Sequence, residues 1–523
     1  MQRVTWIATL VAALAACAPH QNPSRQAQSC EDLRSLSLPG AEVLAAERVA
    51  PGALAVAATD VAEGTQQTVN TALAKLPSFC RVKVAARPAA GSDIRIEVWL
   101  PAAGWNGRLQ AVGDGGLAGF IPFGLMAPAL AGGYATAGTD TGHVGANVDF
   151  MPGNPDKLLD FAYRSTHELA KAAKAVITAH YGRAARWSYY NACSGGGRHG
   201  LTSAQRFPED FDGIVSGAPS WNQARLDAGR IGVNLAVNRT PAHRIPASKF
   251  AMVHRAVLQA CDGLDGVADG VLENPRACAF DYASLQCRGA DAADCLTAEQ
   301  VESARVLTTP FRDPATGRTL LATHLRPGSE LSWGVLASPQ PLSNSVARVR
   351  RLHLKDVKHE FRLETIAEDI ERAARMDQGL FASDRFDLRP YFGRGGKLLM
   401  WHGWSDPQVP AEGSILYHDG VRHAAGAAAD AGLALFMLPG VLHCRGGPGA
   451  DTFDAMAAIT AWVEQGQKPQ RIVASRLAEG RVVATRALCP YPQVARYVGS
   501  GASNDASAFV CAAQGAAGTG PRP

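Results

Sequence analysis

One pentapeptide constrains the fold of this chain more than any other feature: Ala192-Cys193-Ser194-Gly195-Gly196, between an apolar run and a helix-like segment. Trp187 to Ala192 reads as a short buried strand, and helical spacing resumes from about Gly196 to Arg206. A strand that turns sharply into a helix at a serine needs small residues two before and two after it, because larger side chains would collide in the turn. Ala192 and Gly196 meet that demand, with Ala standing where Gly is usual. Ser194 would then sit at the positive end of the helix with its hydroxyl exposed. Alternatively, the glycines only end a strand.

Two later segments weigh on that choice. Leu398 to His402 is apolar and strand-like, and its loop carries Asp406; Met437 to Leu438 ends a second apolar run, and its loop carries His443. Ser, acid and His in that chain order are what an α/β-hydrolase requires. In such a triad His443 takes the proton of Ser194, while Asp406 holds its tautomer and stabilises the imidazolium. Standing alone, Asp406 reads equally as a solvated turn residue and His443 as a surface loop histidine. His402 is a rival base, disfavoured because it precedes the acid.

The fold class expected is therefore α/β, an α/β-hydrolase with a large inserted lid domain. Ile94–Leu100 and Arg108–Val112 read as strands and Asp160–Tyr181 as a helix. Alternation of strand and helix is lost from about Ala218 to Phe386 and returns with strands at 395–402 and 434–438 and a helix over 451–465. The boundaries predicted are 1–17 for a signal peptide, 18–217 and 387–523 for the two parts of the catalytic domain, and 218–386 for the lid. A chain of 523 residues has room for both units.

Arg3, the apolar run Val4–Ala16 and the small residues Ala15 and Ala16 have the form of an export signal. Leu14-Ala15-Ala16-Cys17 also resembles a bacterial lipobox, which would make Cys17 a lipid anchor; the other reading is a plain signal containing a cysteine. The localisation expected is exported: periplasmic, outer-membrane lipoprotein or secreted. No segment is long and apolar enough to be a transmembrane span. A formal charge of +4 without a basic block makes nucleic acid a poor partner. Ten cysteines beyond Cys17, in an exported chain, point to disulfides rather than zinc, since no two stand in a close C-x2-C pair.

An oxyanion hole needs two backbone N–H groups aimed at the developing charge. Gly195 supplies one, and the Gly113-Asp114-Gly115-Gly116 loop is the candidate for the other, unless it is only a tight turn. Between Cys261 and Val271, Asp262, Asp265 and Asp269 recur at short intervals among glycines. Such carboxylates can converge as hard oxygen ligands for Ca2+, with the carbonyls of Val267 and Val271 filling further positions. Their spacing is not that of an EF-hand, and a solvated acidic turn is the alternative.

Cys193-Ser194, Asp406 and His443-Cys444 resemble the CS-D-HC arrangement of the tannase and feruloyl esterase family. The similarity extends from Trp105-Asn106-Gly107-Arg108, through Gly395-Gly396-Lys397, to the C-terminal cysteines. The resemblance implies a disulfide Cys193–Cys444 that clamps the nucleophile and base loops together, Gly116 as second oxyanion donor, and structural calcium in the lid beside Cys261–Cys278. It further implies Cys30–Cys80, Cys287–Cys295 and Cys489–Cys511, of which sequence proximity also favours the last two.

The function expected is hydrolysis of an aromatic carboxylic ester through an acyl-enzyme. Feruloyl-type esters rank first; galloyl esters and mono(2-hydroxyethyl) terephthalate are the alternatives within the family. In the terephthalate class Glu follows the nucleophile, whereas here Gly195 does. Arg348 is the candidate to grip a distal carboxylate, with Arg350 and Arg351 behind it, or these form a solvated basic helix face. A reading of another class is a non-catalytic, calcium-stabilised surface binding protein on a hydrolase scaffold; such a module would need neither elbow, acid, base nor oxyanion loop.

Overall fold

A computed structural model describes residues 27–151 and 153–514. The expected signal segment and Cys17 lie outside these residues. Nine strands form the main sheet: β1 (Ala41–Val49), β2 (Phe79–Ala86), β3 (Ile94–Pro101), β4 (Arg108–Gly113), β5 (Ala135–Thr139), β6 (Trp187–Cys193), β7 (Gly213–Gly217), β8 (Lys397–Gly403) and β9 (Leu433–Leu438). Their spatial order is β1-β2-β3-β5-β4-β6-β7-β8-β9. The pairs from β5 to β9 are parallel, and those joining β1, β2, β3 and β5 are antiparallel. Strands covered on both faces read as continuous apolar runs, and β9 (Leu-Ala-Leu-Phe-Met-Leu) is buried at every position.

Helix α1 (Ser165–Tyr181) and helix α2 (Gly195–Arg206) cover one face together with Ala411–Ala425, packing Leu169, Val176, Leu201, Ile415 and Val421 into one core. Ala455–Gln465 covers the other face, setting Ile459 and Trp462 on Tyr189, Leu399 and Phe436. Each such side chain contributes about 1.5–3 kcal/mol on burial.

Between β7 and β8 the chain adds no strand to this sheet. It forms a mainly helical unit that includes α3 (Gln223–Val237), Ala247–Cys261, Ala298–Thr308 and Ile366–Asp377. That unit has its own core of Ile231, Val253, Val257, Trp333 and Ile370. After the sheet, two hairpins follow, Ile472–Ala478 with Arg481–Leu488 and Gln493–Tyr497 with Phe509–Ala513. Five disulfides are formed: Cys30–Cys80, Cys193–Cys444, Cys261–Cys278, Cys287–Cys295 and Cys489–Cys511. Among the described residues no helix is long and apolar enough to cross a membrane.

Candidate active site

β6 passes into α2 at Ser194, whose φ of 63° is rare for a side-chain-bearing residue. Local packing dictates the small neighbours. A Cβ on Gly196 would lie 2.8 Å from that of Ala192 and 2.7 Å from the carbonyl oxygen of Asp114; one on Gly115 would lie 3.0 Å from Ser194 Cβ. Any larger residue would push the oxyanion loop off the elbow. The Ser194 N–H donates to Gly217 O at 2.9 Å, so the end of β7 holds the turn from behind.

The loops after β8 and β9 bring Asp406 and His443 to this serine. His443 Nε2 lies 2.8 Å from Ser194 Oγ, and its Nδ1 lies 2.6 Å from Asp406 Oδ2. Asp406 is 1% exposed. Its Oδ1 accepts the N–H groups of Gln408 and Val409 at 2.8 and 2.9 Å. Burial alone would raise its pKa, but the hydrogen bonds from His402 and His443 outweigh it and hold the carboxyl well below the usual range. Asp406 is therefore ionised and aimed at the imidazole.

His402, the rival base, stands behind the acid rather than beside the serine. Its Nε2 is 3.1 Å from both Asp406 Oδ2 and the Val409 carbonyl, while Nδ1 is 2.7 Å from Ser414 Oγ. Two acceptors on Nε2 require the proton there, so His402 donates to Asp406. Its position four residues before the acid was the available sequence signal.

The Gly113–Gly116 loop lies against the elbow: a Cβ on Gly195 would be 3.3 Å from the amide nitrogen of Gly116. Gly195 opens α2, where helix N–H groups lack intrahelical acceptors. The two amides thus border one spot beside Ser194. A residue that sequence reasoning passed over props this loop. His143 is 3% exposed, with Nε2 3.0 Å from Leu117 O. Burial depresses its pKa to about 4, so it stays neutral and donates through Nε2.

Cys193 and Cys444 flank the serine and the histidine, and their bond joins the two loops directly. Arg348, expected to meet substrate, is instead committed to Asp227. Nε and Nη2 each lie 2.6 Å from a carboxylate oxygen, and both side chains are buried. Burying a carboxylate without a partner is so costly that this fork is consumed internally. Arg350 donates to His359 O, and Arg351 pairs with Asp149.

The acidic loop lies against the C-terminal hairpins. Among the described residues, no three His, Cys, Asp or Glu side chains gather closely enough to hold a metal ion. Asp265 and Asp269 turn to Arg486 of the C-terminal hairpin, which also bonds Glu273 at 3.0 Å. Mutual repulsion among carboxylates and attraction to this guanidinium explain the arrangement. Asp262 Oδ1 nevertheless remains buried without a hydrogen-bond partner, and burial raises Asp265 to a pKa of about 6. The orphaned Asp262 oxygen suits a hard cation, for which Asp265 and Asp269 would have to turn from Arg486.

Residues 80–512 match the family model described as "Tannase and feruloyl esterase". An uncharacterized esterase of Xanthomonas campestris is 34% identical, over 98% of this chain and 96% of its own. The mono(2-hydroxyethyl) terephthalate hydrolase of Piscinibacter sakaiensis is also 34% identical, over 84% and 86%. The crystal structure of feruloyl esterase B from Aspergillus oryzae superposes with a TM-score of 0.83 at 28% identity, covering 92% of this chain and 99% of that one.

Proposed function

The chain belongs to the tannase and feruloyl esterase family and is a carboxylic ester hydrolase, and from that premise we propose that it works through an acyl-enzyme on Ser194. The carrying observation is the unbroken chain Ser194 Oγ–His443 Nε2–Asp406 at 2.8 and 2.6 Å. His443 removes the serine proton as Oγ attacks the ester carbonyl. The resulting oxyanion is met by the amides of Gly195 and Gly116. On collapse, His443 returns the proton to the leaving alcohol; a water activated the same way then releases the acid and restores Ser194. Ser194→Ala should lower kcat ~10⁴-fold or more with folding intact; near-wild-type turnover by pure variant protein would refute the assignment.

For substrate we favour neutral esters of hydroxylated aromatic acids, of the feruloyl type, over galloyl esters and terephthalate monoester. Gly195 offers the acyl group no side chain, and the Arg348 fork is buried and turned to Asp227 rather than to a second carboxylate. Comparing kcat/KM on methyl ferulate, methyl gallate and the terephthalate monoester tests this. Preference for the charged monoester would reverse the order.

Two further proposals complete the reading. Ca2+ would be held by Asp262, Asp265 and Asp269 with the carbonyls of Val267 and Val271, as a structural ion in the inserted unit. The protein would also be exported, since five disulfides suit an oxidising compartment; Cys17 would then be either lipidated or removed.

A further inference from the structure

We propose that Arg230, on α3 of the inserted unit, is a positioning residue for the triad acid, gripping the one peptide group that joins it to Asp406. The inference rests on the triad reading above. Arg230 Nε lies 2.6 Å from the carbonyl oxygen of Gln408, and Nη2 reaches the same oxygen. That oxygen belongs to the Gln408–Val409 peptide, whose N–H donates to Asp406 Oδ1 at 2.9 Å. Guanidinium, peptide and carboxylate therefore form a chain. A cation on the carbonyl draws electron density toward oxygen and makes the N–H at the other end a stronger donor. The turn that presents Asp406 is thus fixed from outside its own domain.

The cation is itself anchored. Arg230 is 6% exposed, and its Nη1 lies 3.3 Å from Asp227 Oδ1. Asp227, fully buried, takes the paired hydrogen bonds of Arg348 and a third from Ser345 Oγ at 2.8 Å. Two helices of the insertion, Gln223–Val237 and Ser343–Arg348, converge on one contact with the acid loop. Sequence reading assigned Arg348 to substrate; its place in this network gives it the different task of neutralising Asp227 and so fixing Arg230.

The groups facing the acid–base pair are His402 from β8, then Arg230 and His324 from the insertion, with Asp227 and Arg348 behind Arg230. Burial and the neighbouring Arg230 hold His324 near a pKa of about 3, so it carries no charge at working pH. Among these groups Arg230 is the cation in contact with the acid loop. Its charge partly offsets the field that the Asp406 carboxylate sets at the imidazole of His443. Removing that charge should move the acid limb of kcat/KM upward in pH, an effect that packing alone would not produce.

The test is steady-state kinetics on methyl ferulate with Arg230→Met and Arg230→Lys, each in the native and the Asp406→Asn background. Arg230→Met should lower kcat at least tenfold, leave KM within twofold, and shift the acid limb to higher pH. Arg230→Lys should restore the limb and part of kcat. With Asp406→Asn in place, neither change should cost further kcat, because the acceptor at the end of the chain has lost its charge. An unmoved limb with unchanged kcat, or an equal kcat loss in both backgrounds, overturns the proposal. If Arg230→Met does not fold, the Arg230→Lys pair decides: a loss confined to the Asp406 background supports it, and no loss or an equal loss overturns it. Ser194→Ala, run alongside, tests the triad separately, so failure of either claim is seen on its own.

Discussion

Replacing His402 with alanine removes one of four donors that converge on Asp406. At 3.1 Å it is the longest of them, against 2.6 Å from His443 and 2.8 and 2.9 Å from the backbone of Gln408 and Val409. A hydrogen bond to a charged group contributes about 1.5–3 kcal/mol, and the longest contact belongs at the lower end. About 1.4 kcal/mol is tenfold in rate, so kcat should fall roughly tenfold if the loss is felt wholly in the transition state. Stability should fall by about 2–4 kcal/mol, because Ser414 Oγ and Val409 O lose their partner in a fully buried place. Initial rates on methyl ferulate, with urea denaturation of the same samples, measure both. His443→Ala is the reference and should lose ~10⁴-fold or more. If His402→Ala were as inactive as His443→Ala while folded, His402 would be the base and the order Ser–Asp–His would be misread. Wild-type kcat would show that Asp406 needs no support from behind.

Other perturbations separate the remaining claims. The double variant Cys193→Ala/Cys444→Ala should stay folded but lose about 10²-fold in kcat, since ~1 Å of slack between nucleophile and base loops is costly; unchanged kinetics would make the bond purely structural. Asp140 is an acid whose folded pKa is raised to about 7, chiefly by burial. Its contribution therefore favours folding at low pH and is lost as pH rises from about 4 to about 7. Asp140→Asn keeps the oxygen that accepts from Arg95 and Gly142, so it should be more stable than wild type by a few kcal/mol at pH 8 and no more stable at pH 4; a constant difference across that range in denaturation curves would show that Asp140 does not titrate so. Added Ca2+ at about 100 times its Kd should stabilise by ~2.7 kcal/mol, and chelation should reverse the gain; metal analysis finding no calcium, with an unmoved Tm, would remove the ion from the lid.

Much of the site was readable because its signals are local. The elbow is five consecutive residues whose sizes are set by contacts with one another, and strands β8 and β9 are apolar runs ending in the loops that carry Asp406 and His443. The C-terminal half of the sheet is parallel and covered on both faces, which is what makes such runs visible. The order β1-β2-β3 and the C-terminal hairpins were not anticipated; β1, for one, mixes Ala, Glu and Arg with Val and Leu in no two-residue alternation. Arg348 was misassigned for a related reason. A buried arginine and an exposed one look alike in sequence, and its partner Asp227 lies 121 residues away on another helix. The same holds for Arg486, which meets Asp265 across 221 residues. Long-range charge pairing leaves no periodicity to read.

The bond between Cys193 and Cys444 has a consequence for how the molecule withstands damage. It spans 251 residues and closes a covalent ring that contains the whole inserted unit. A single proteolytic cut anywhere between 218 and 386 would open the ring without dividing the molecule. Ser194 would remain on one fragment, Asp406 and His443 on the other, and the bridge beside the serine would hold both to each other at the point where they react. On a gel such nicked protein should run as one band until a reductant is added, and then as two. An enzyme built this way carries its own suture at the wound most exposed loops invite.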